Sequence, residues 1–180
     1  MSTSESHDEI SLIKACSNGD SKAFRKIYEI HSGTMYSICL RYMNNEDEAK
    51  DALQEGFIKV LKNISKFKFT GSFEGWMKRI FVNSSIELIR KRKMHLDVSE
   101  LNSNELPLTA KIETGSMDAE KMMTLVQQLP EGYRTVFNMF IVDGYSHKEI
   151  SDYLEISEST SKTQLFKARK QLQEWLKDWF

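Results

Sequence analysis

The apolar residues of this 180-residue chain recur at helical spacing, and no segment shows the sustained apolar–polar alternation that is typical of a β-strand. The clearest run is Tyr133, Val136, Phe137, Phe140 and Ile141, at offsets of 0, 3, 4, 7 and 8. These offsets place the five side chains on one helix face, where such residues are far more often core than cofactor site. The chain is therefore predicted to be all helical.

In the first half of the chain, turn and capping residues separate several predicted helices. A short amphipathic helix, Glu9–Ser17, ends at Asn18-Gly19, and Asp20 or Ser21 can cap the next one. The other predicted helices are one with the stripe Phe24, Ile27, Tyr28 and Ile30, a separate one through Met35, Ile38, Cys39 and Tyr42, one over Glu46–Ile64, and one over Phe73–Lys93. Together they predict one helical domain over residues 1–95.

The second half is predicted to be a linker followed by a smaller domain. Residues 96–116 are acidic, rich in Asn, Ser and Thr, and without helical periodicity, so we interpret them as a linker. In residues 117–180, Pro130 starts a helix, and Ser146 and Glu149 match a capping box. A three-residue turn, Glu155-Ile156-Ser157, leads to a second helix whose predicted buried face is Leu165, Ala168, Leu172, Trp175 or Leu176, and Trp179. Two helices joined in this way predict a helix-turn-helix.

The net charge of −1 hides two basic segments. Residues 58–93 hold ten basic and two acidic residues, and residues 162–170 hold four basic residues and no acidic one. Between them, residues 94–131 hold seven acidic and two basic residues. This distribution suits a protein that binds a polyanion through two surfaces, although two solvated helix faces would give the same pattern.

Each basic segment carries candidate nucleic-acid contacts. On the last helix, the face opposite the buried one presents Ser159, Lys162, Thr163, Phe166, Lys167 and Lys170. Lysines neutralise phosphates, and short polar side chains reach base edges in the major groove, which predicts DNA binding. A generic helical hairpin with a lysine-rich face is the alternative. In the loop over residues 65–73, phenylalanines alternate with lysines, a pattern that suits unpaired bases, although Phe67 and Phe73 can equally fill the core.

Three motifs resemble one family, the extracytoplasmic-function sigma factors of bacterial RNA polymerase. The first motif is Asp47-x-Ala49-x-Asp51-x-x-Gln54-Glu55-x-Phe57-Ile58-Lys59-Val60, the second is Phe73-x-x-Trp76-x-x-Arg79-Ile80-x-x-Asn83, and the third is Leu129-Pro130-x-x-Tyr133-Arg134-x-Val136-Phe137 followed by Gly144-Tyr145-Ser146-x-x-Glu149-Ile150. Each motif is moderately specific, and their order around the linker makes the resemblance very specific. The resemblance spans about Ile10 to Leu176.

The resemblance implies a sigma factor that binds core RNA polymerase and directs promoter-specific initiation. Domain 1–95 would dock on the polymerase and capture melted minus-ten DNA, and domain 117–180 would bind the minus-thirty-five duplex. The implied minus-thirty-five contacts are Arg134, Ser159, Thr160, Lys162, Thr163, Phe166, Lys167, Arg169 and Lys170. The implied minus-ten contacts are Lys66, Phe67, Lys68, Phe69, Thr70, Arg79, Asn83, Arg90 and Lys91. The implied polymerase contacts are Asp47, Asp51, Gln54 and Glu55.

Two positions depart from the family pattern. The loop has Phe67-Lys68-Phe69-Thr70-Gly71 where the family more often has Phe-Arg-Gly and an acidic residue. The resemblance therefore does not imply which base of the melted minus-ten DNA is flipped out and captured by this loop. Ser161 stands where the family usually has valine, which affects the packing or register of the recognition helix. The family also implies an anti-sigma partner.

Other functional classes fit less well. A one- or two-component regulator would account for residues from Met122 onward, but the first half lacks a receiver-like strand pattern. A nuclease would need clustered metal ligands or a phosphate-binding glycine loop. A purely structural bundle leaves both basic segments unexplained. No cofactor, no zinc site and no disulfide are expected from two isolated cysteines and four scattered histidines, and without a signal peptide or a membrane-spanning segment we expect a non-enzymatic, cytoplasmic protein.

Overall fold

The computed structural model describes residues 3–96 and 119–177, and within these residues the chain is helical with no strand. The α-helices of the described residues are α1 (Thr3–Ser17), α2 (Ser21–Tyr42), α3 (Glu46–Asn63), α4 (Phe73–Leu96), α5 (Ala119–Gln128), α6 (Glu131–Phe137), α7 (His147–Leu154) and α8 (Glu158–Leu176). The all-helical prediction is confirmed. The predicted linker lies outside the described residues from position 97 on.

The chain divides into two compact units, residues 1–85 and residues 86–180. This division falls in the middle of α4, whereas the first-domain limit expected from the sequence, residue 95, lies at the C-terminal end of that helix. The last turns of α4 are therefore counted with the second unit. The expected domain limits of 95 and 117 stay a prediction, and each unit is described by itself below.

In the first unit, α2 is one helix of 22 residues, so the prediction of two separate helices here was wrong. Gly33 lies inside the helix with open space where a Cβ would be, and hydrogen bonding continues through it. Asp20 caps the helix as predicted, since its Oδ1 accepts from the amides of Lys22 at 2.8 Å and Ala23 at 3.2 Å. Of the predicted stripe, Ile27 is buried, whereas Tyr28 and Ile30 are exposed.

The core of the first unit lies where α2, α3 and α4 meet. Its largest buried side chains include Met35, Tyr42, Phe73, Met77 and Phe81. Helix α3 lies close to α4 at Gly56, where an added Cβ would lie 2.2 Å from the ring of Phe81. The ring of Phe81 in turn meets Phe57 edge-on, with ring centroids 5.1 Å apart. A residue without a side chain is thus required at position 56 for α3 and α4 to pack.

In the second unit, α5, α6 and α8 share a core. Its buried members are Leu125, Val126, Leu129, Ala168 and Leu172, with Trp175 and Leu176 partly buried against it. This confirms the predicted buried face of α8 as far as residue 176. The predicted core residue Trp179 lies outside the described residues.

A π-helical turn, Asn138–Val142, follows α6 and shifts the predicted core stripe. The amide of Asp143 donates to the carbonyl of Asn138 at 2.9 Å, one residue further than in an α-helix. Because of this extra residue, Met139 is fully buried and Ile141 is exposed. The prediction that Ile141 lies in the core was therefore wrong.

The predicted helix-turn-helix is present as α7, a short turn and α8. Ser146 caps α7, and Glu149 completes the capping box, since its Oε2 accepts from the Ser146 amide at 2.8 Å. Helix α7 ends at Leu154, and the left-handed backbone of its C-cap residue Glu155 (φ 54°) reverses the chain. Ser157 then caps α8 as predicted, accepting from the Thr160 amide at 3.0 Å.

Candidate nucleic-acid and polymerase interfaces

The outer face of α8 presents nearly all of the predicted minus-thirty-five residues. Ala168 and Leu172 belong to the core of the second unit and Leu165 is buried on the same side, and this orientation leaves the opposite face to solvent. The exposed residues of that face are Ser159, Lys162, Thr163, Phe166, Lys167, Arg169 and Lys170. Phe166 is 68% exposed, an unusual position for a large aromatic ring. A base methyl group or a protein partner would remove this ring from water.

The first turn of α8 is held by hydroxyl contacts. The Oγ atoms of Ser157 and Ser159 lie 2.7 Å apart, and Thr160 Oγ1 lies 2.8 Å from Ser157 Oγ. Thr160 is half-buried, while Ser159 is exposed. The helix N-terminus and these hydroxyls together form a polar end that suits a phosphate.

Two lysines of this face have acidic neighbours one turn away. Lys162 Nζ lies 3.9 Å from Glu158 Oε2, and Lys170 Nζ lies 4.0 Å from Glu174 Oε1. Both pairs are solvent-exposed, so each contributes little to stability and leaves the lysine free to turn toward a phosphate.

Arg134 is the exception among the predicted minus-thirty-five residues, because it is buried. Only 5% of the residue is exposed, and its Nη1 donates to the carbonyl oxygens of Gln127 at 2.9 Å and Leu129 at 3.4 Å. These bonds satisfy carbonyl groups at the C-terminal end of α5. The guanidinium therefore ties α5 to α6, and we correct its expected role from a phosphate contact to a structural one.

The loop before α4 gathers four aromatic rings. Phe67 lies at the centre, with its ring centroid 5.0 Å from Phe69, 5.2 Å from Phe73 and 5.5 Å from Trp76. Phe73 is buried and Phe67 and Trp76 are half-buried, whereas Phe69 is 43% exposed. Phe73 is thus a core residue, and Phe69 offers the most accessible ring of the cluster.

Phe69 also has an unusual backbone, with φ at +56°. This left-handed conformation is uncommon for residues other than glycine and costs roughly 1–3 kcal/mol. Gly71 follows with φ at +148°, a value that glycine adopts easily. The two residues turn the loop sharply, so that the Phe69 ring stands at the surface.

A cavity of about 180 Å³ opens beside these rings. Its walls come from Phe67 and Phe69, from the turn at Ile64 and Ser65, and from the end of α1. The residues of this wall are Ile13, Lys14 and Ser17 of α1 and Asn18, which follows the helix. No site role is predicted for these residues from the sequence, because only the fold brings α1 to this loop. The polar side chains of Lys14, Ser17 and Asn18 thus line the same cavity as the aromatic rings of Phe67 and Phe69. This combination suits a flat, polar ring such as a nucleobase.

The other predicted minus-ten residues are spread over the loop and α4. Lys66, Lys68, Thr70, Arg79 and Lys91 are exposed, and Asn83 and Arg90 are half-buried. Lys66 Nζ donates to Asn63 Oδ1 at 2.9 Å. Arg90 belongs to the second unit, where its Nη2 donates to Glu155 Oε1. Within the first unit, the structure places Lys66, Phe67, Lys68, Phe69 and Thr70 together on one loop.

The acidic residues of α3 form a single surface. Asp47, Asp51 and Gln54 are exposed and Glu55 is half-buried, on the face opposite the buried Ala49, Ala52 and Phe57. Asp47 Oδ1 lies 3.5 Å from Lys50 Nζ, and this bond raises the pKa of Lys50. Asp51 and Gln54 lie beside it on the same face, which provides a compact acceptor-rich surface.

Within the described parts of the chain, no group of three or more His, Cys, Asp or Glu residues is arranged to hold a metal ion. Both cysteines are buried thiols, and burial raises the pKa of Cys39 to about 12. Among the described helices, none has the length and apolar character needed to cross a membrane.

Two family models match the chain. The model for sigma-70 region 2 matches residues 27–94, and the model for sigma-70 region 4 matches residues 119–172. The first match contains the aromatic loop and the acidic surface of α3, and the second contains α5 to most of α8.

Curated relatives match nearly the whole chain. The ECF RNA polymerase sigma factor SigW of Bacillus subtilis (strain 168) is 33% identical over 178 residues, which cover 92% of this chain and 95% of that protein. The ECF RNA polymerase sigma factor SigM of the same organism is 24% identical over 149 residues, covering 82% and 91% of the two chains.

Solved structures share the fold. The sigma factor RpoE in complex with the anti-sigma factor NepR from Bartonella quintana aligns with a TM-score of 0.55 and 20% identity, over 87% of this chain and 98% of that chain. CnrH in complex with the cytosolic domain of CnrY aligns with a TM-score of 0.51 and 20% identity, over 95% and 97% of the two chains.

Proposed function

The chain belongs to the extracytoplasmic-function sigma factors of the sigma-70 family, and from this premise we propose how its surfaces divide the recognition of a promoter. As a sigma factor it binds core RNA polymerase and directs promoter-specific initiation of transcription. The bond-forming chemistry belongs to the polymerase, and this chain supplies recognition and no catalytic group. The observation that carries this proposed division of promoter recognition is that the chain has both an exposed basic face, on α8, and an exposed aromatic loop, before α4.

The outer face of α8 is proposed to bind the minus-thirty-five duplex. Its lysines and Arg169 neutralise backbone phosphates, and Thr163 and Phe166 lie where they can meet base edges. The buried face of α8 supports this, because Ala168 and Leu172 pack in the core of the second unit and Leu165 is buried beside them, which holds the helix in place. A rigid helix presents its outer side chains in one arrangement, which sequence discrimination requires.

The aromatic loop is proposed to capture a base of the melted minus-ten strand. The exposed ring of Phe69 provides a stacking surface, and the cavity beside it has room for one base. Lys66 and Lys68 attract the strand, and Arg79 and Asn83 hold its backbone further along. The unpaired base is then held outside the duplex, which favours the open complex.

The acidic surface of α3 is proposed to dock on core polymerase through Asp47, Asp51, Gln54 and Glu55. An exposed set of carboxylates and an amide on one helix face suits a basic protein surface. The chain is also proposed to bind an anti-sigma factor, as the sigma factor RpoE of similar fold does in its solved complex with NepR.

Run-off transcription with core polymerase, with and without this chain, tests the proposed function. We expect specific transcripts only when the chain is present, and weak binding of promoter duplex by the chain alone, because each DNA-binding surface is small. Nanomolar sequence-specific binding without core polymerase, together with no gain of transcript, would instead identify a one- or two-component regulator.

Substitutions on α8 separate phosphate contacts from base contacts. Lys162→Ala and Lys167→Ala should each weaken promoter binding by the holoenzyme and reduce the slope of log affinity against log salt by about one unit. Thr163→Ala is the matched control, since it removes no charge. It should keep the slope and change the preference for one base by roughly 1–3 kcal/mol.

The measurement is holoenzyme affinity for promoter duplexes at several salt concentrations, with base substitutions in the minus-thirty-five element. If the three variants lose thermal stability while affinity and slope stay at the wild-type values, α8 is a packing helix and not a DNA-binding helix.

A further inference from the structure

Ser161 is a fully buried hydroxyl in the DNA-facing helix of the second unit. It lies on the inner side of α8, one turn before Leu165, and has no exposed surface. A buried hydroxyl is costly unless it is hydrogen-bonded, so an apolar residue would be the simpler choice for this position. The hydrogen-bond partner of Ser161 therefore indicates the role of its hydroxyl group.

That partner is His147, the first residue of α7. Its Nδ1 lies 2.9 Å from Ser161 Oγ, so the two helices of the helix-turn-helix are joined by one polar contact. The imidazole also stacks on Phe140 of the π-helical turn, with ring centroids 4.4 Å apart and planes at 25°. His147 is thus held from two sides, by a ring and by a hydroxyl.

The surroundings of His147 favour the neutral form of its imidazole. Burial lowers the pKa of His147, Lys162 and Arg169 lower it further, and Glu158 opposes them. The position at the N-terminus of α7 also disfavours a positive charge. A neutral imidazole has one N–H, so the bond forms either from Nδ1–H to Ser161 Oγ or from the serine hydroxyl to Nδ1.

We propose that His147 and Ser161 are positioning residues, whose hydrogen bond sets the rotation and register of α8 against α7 for promoter recognition. This inference rests on the proposed role of α8 in binding the minus-thirty-five duplex. A buried polar contact adds directional specificity to the apolar packing, because the hydrogen bond forms in only one arrangement of the two helices. Because Ser161 lies next to Lys162 in α8, any rotation that breaks the bond also moves Lys162 and Thr163 on the outer face.

Three single variants separate the bond from the packing. Ser161→Ala removes only the hydroxyl. His147→Leu removes the ring nitrogen, and His147→Asn, of nearly the same size as leucine, puts a polar atom back near the position of Nδ1. The readout is the ratio of holoenzyme affinities for two duplexes, one with the minus-thirty-five element that the wild-type holoenzyme selects from a randomised pool and one with that element scrambled.

We expect Ser161→Ala and His147→Leu each to lower this ratio about tenfold, while affinity for the scrambled duplex is retained because it depends on phosphate contacts. His147→Asn should restore most of the ratio. The double variant Ser161→Ala/His147→Leu should lose no more than either single variant, because both remove the same bond.

Equal ratios for His147→Asn and His147→Leu would overturn the inference, and so would additive losses in the double variant or a wild-type ratio in Ser161→Ala. These results differ from a failure of the proposed function, in which the wild-type holoenzyme itself selects no minus-thirty-five sequence. If His147→Leu unfolds the second unit, Ser161→Ala decides the outcome, since it leaves the stack on Phe140 in place.

Discussion

Replacing Gly56 with alanine is expected to lower the free energy of unfolding of the first unit by about 3 kcal/mol, the upper end of the usual cost of overpacking. The added methyl group would lie 2.2 Å from one ring carbon of Phe81 and 2.5 Å from the next. Phe81 is fully buried and packs edge-on against Phe57, so its ring has no free space to move into. A loss of this size is a large share of a typical total stability of about 5–15 kcal/mol.

Gly33→Ala is the matched control, because it makes the same chemical change inside a helix of the same unit. Nothing lies within 4 Å of a Cβ at Gly33, so alanine there should raise stability by roughly 0.5–1 kcal/mol. Hydrogen–deuterium exchange of peptides from α3 reports on the first unit separately from the second. Equal protection of α3 in the two variants would contradict the close approach of α3 and α4 at Gly56.

The second large effect concerns promoter melting. Phe69→Ala should leave the fold and polymerase binding intact but slow open-complex formation by about 5- to 100-fold, because stacking on a base is worth roughly 1–3 kcal/mol. The ring is 43% exposed and packs only at the edge of the aromatic cluster, so its removal costs little stability. Permanganate footprinting of unpaired thymines on a duplex promoter measures the rate.

A promoter that already contains a mismatched bubble should rescue much of this loss, since the bases are unpaired before the protein binds. Phe166→Ala is the matched control, because it removes an exposed ring from α8. Its defect should be the same on duplex and bubble templates. If Phe69→Ala melts the duplex promoter at the wild-type rate, or reduces helicity in circular dichroism, then Phe69 is a core residue and not a base-stacking one.

Local chemistry made the helix ends predictable. Asp20, Ser146 and Ser157 each accept a hydrogen bond from a backbone amide within three residues, and short-range spacing alone identifies such caps. The exposed face of α8 was predictable for a similar reason, because its apolar residues recur with the helical period.

The failures of prediction come from tertiary packing. The sequence predicted two separate helices where α2 is one, yet Ile27, Met35 and Ile38 are buried on both sides of Gly33 and stabilise a single helix. The π-helical turn shifts the register of the buried side chains after Phe137, and no local sequence pattern predicts this turn. Arg134 was expected at a phosphate because it is an arginine in a DNA-binding motif, but carbonyl groups of a neighbouring helix bind it instead.

Within the candidate sites, the cavity beside Phe69 and the hydrogen bond of Ser161 also depend on tertiary packing, so the sequence alone did not predict them. Asn18 and Phe69 are about fifty positions apart in sequence and share a wall only after folding. Ser161 departs from the family pattern in the sequence, whereas its hydrogen bond to His147 appears only in three dimensions.

The order of the units along the chain has a consequence for biosynthesis. In the first unit, consecutive helices pack on each other, α1 on α2 and α2 on α3, and such local topology folds in microseconds to milliseconds. Ribosomes add about 5–20 residues per second, so residues 86–180 take seconds to emerge. We therefore expect the first unit to complete its fold on the ribosome as α4 emerges, so that the acidic surface of α3 forms before the DNA-facing helix α8 has been translated.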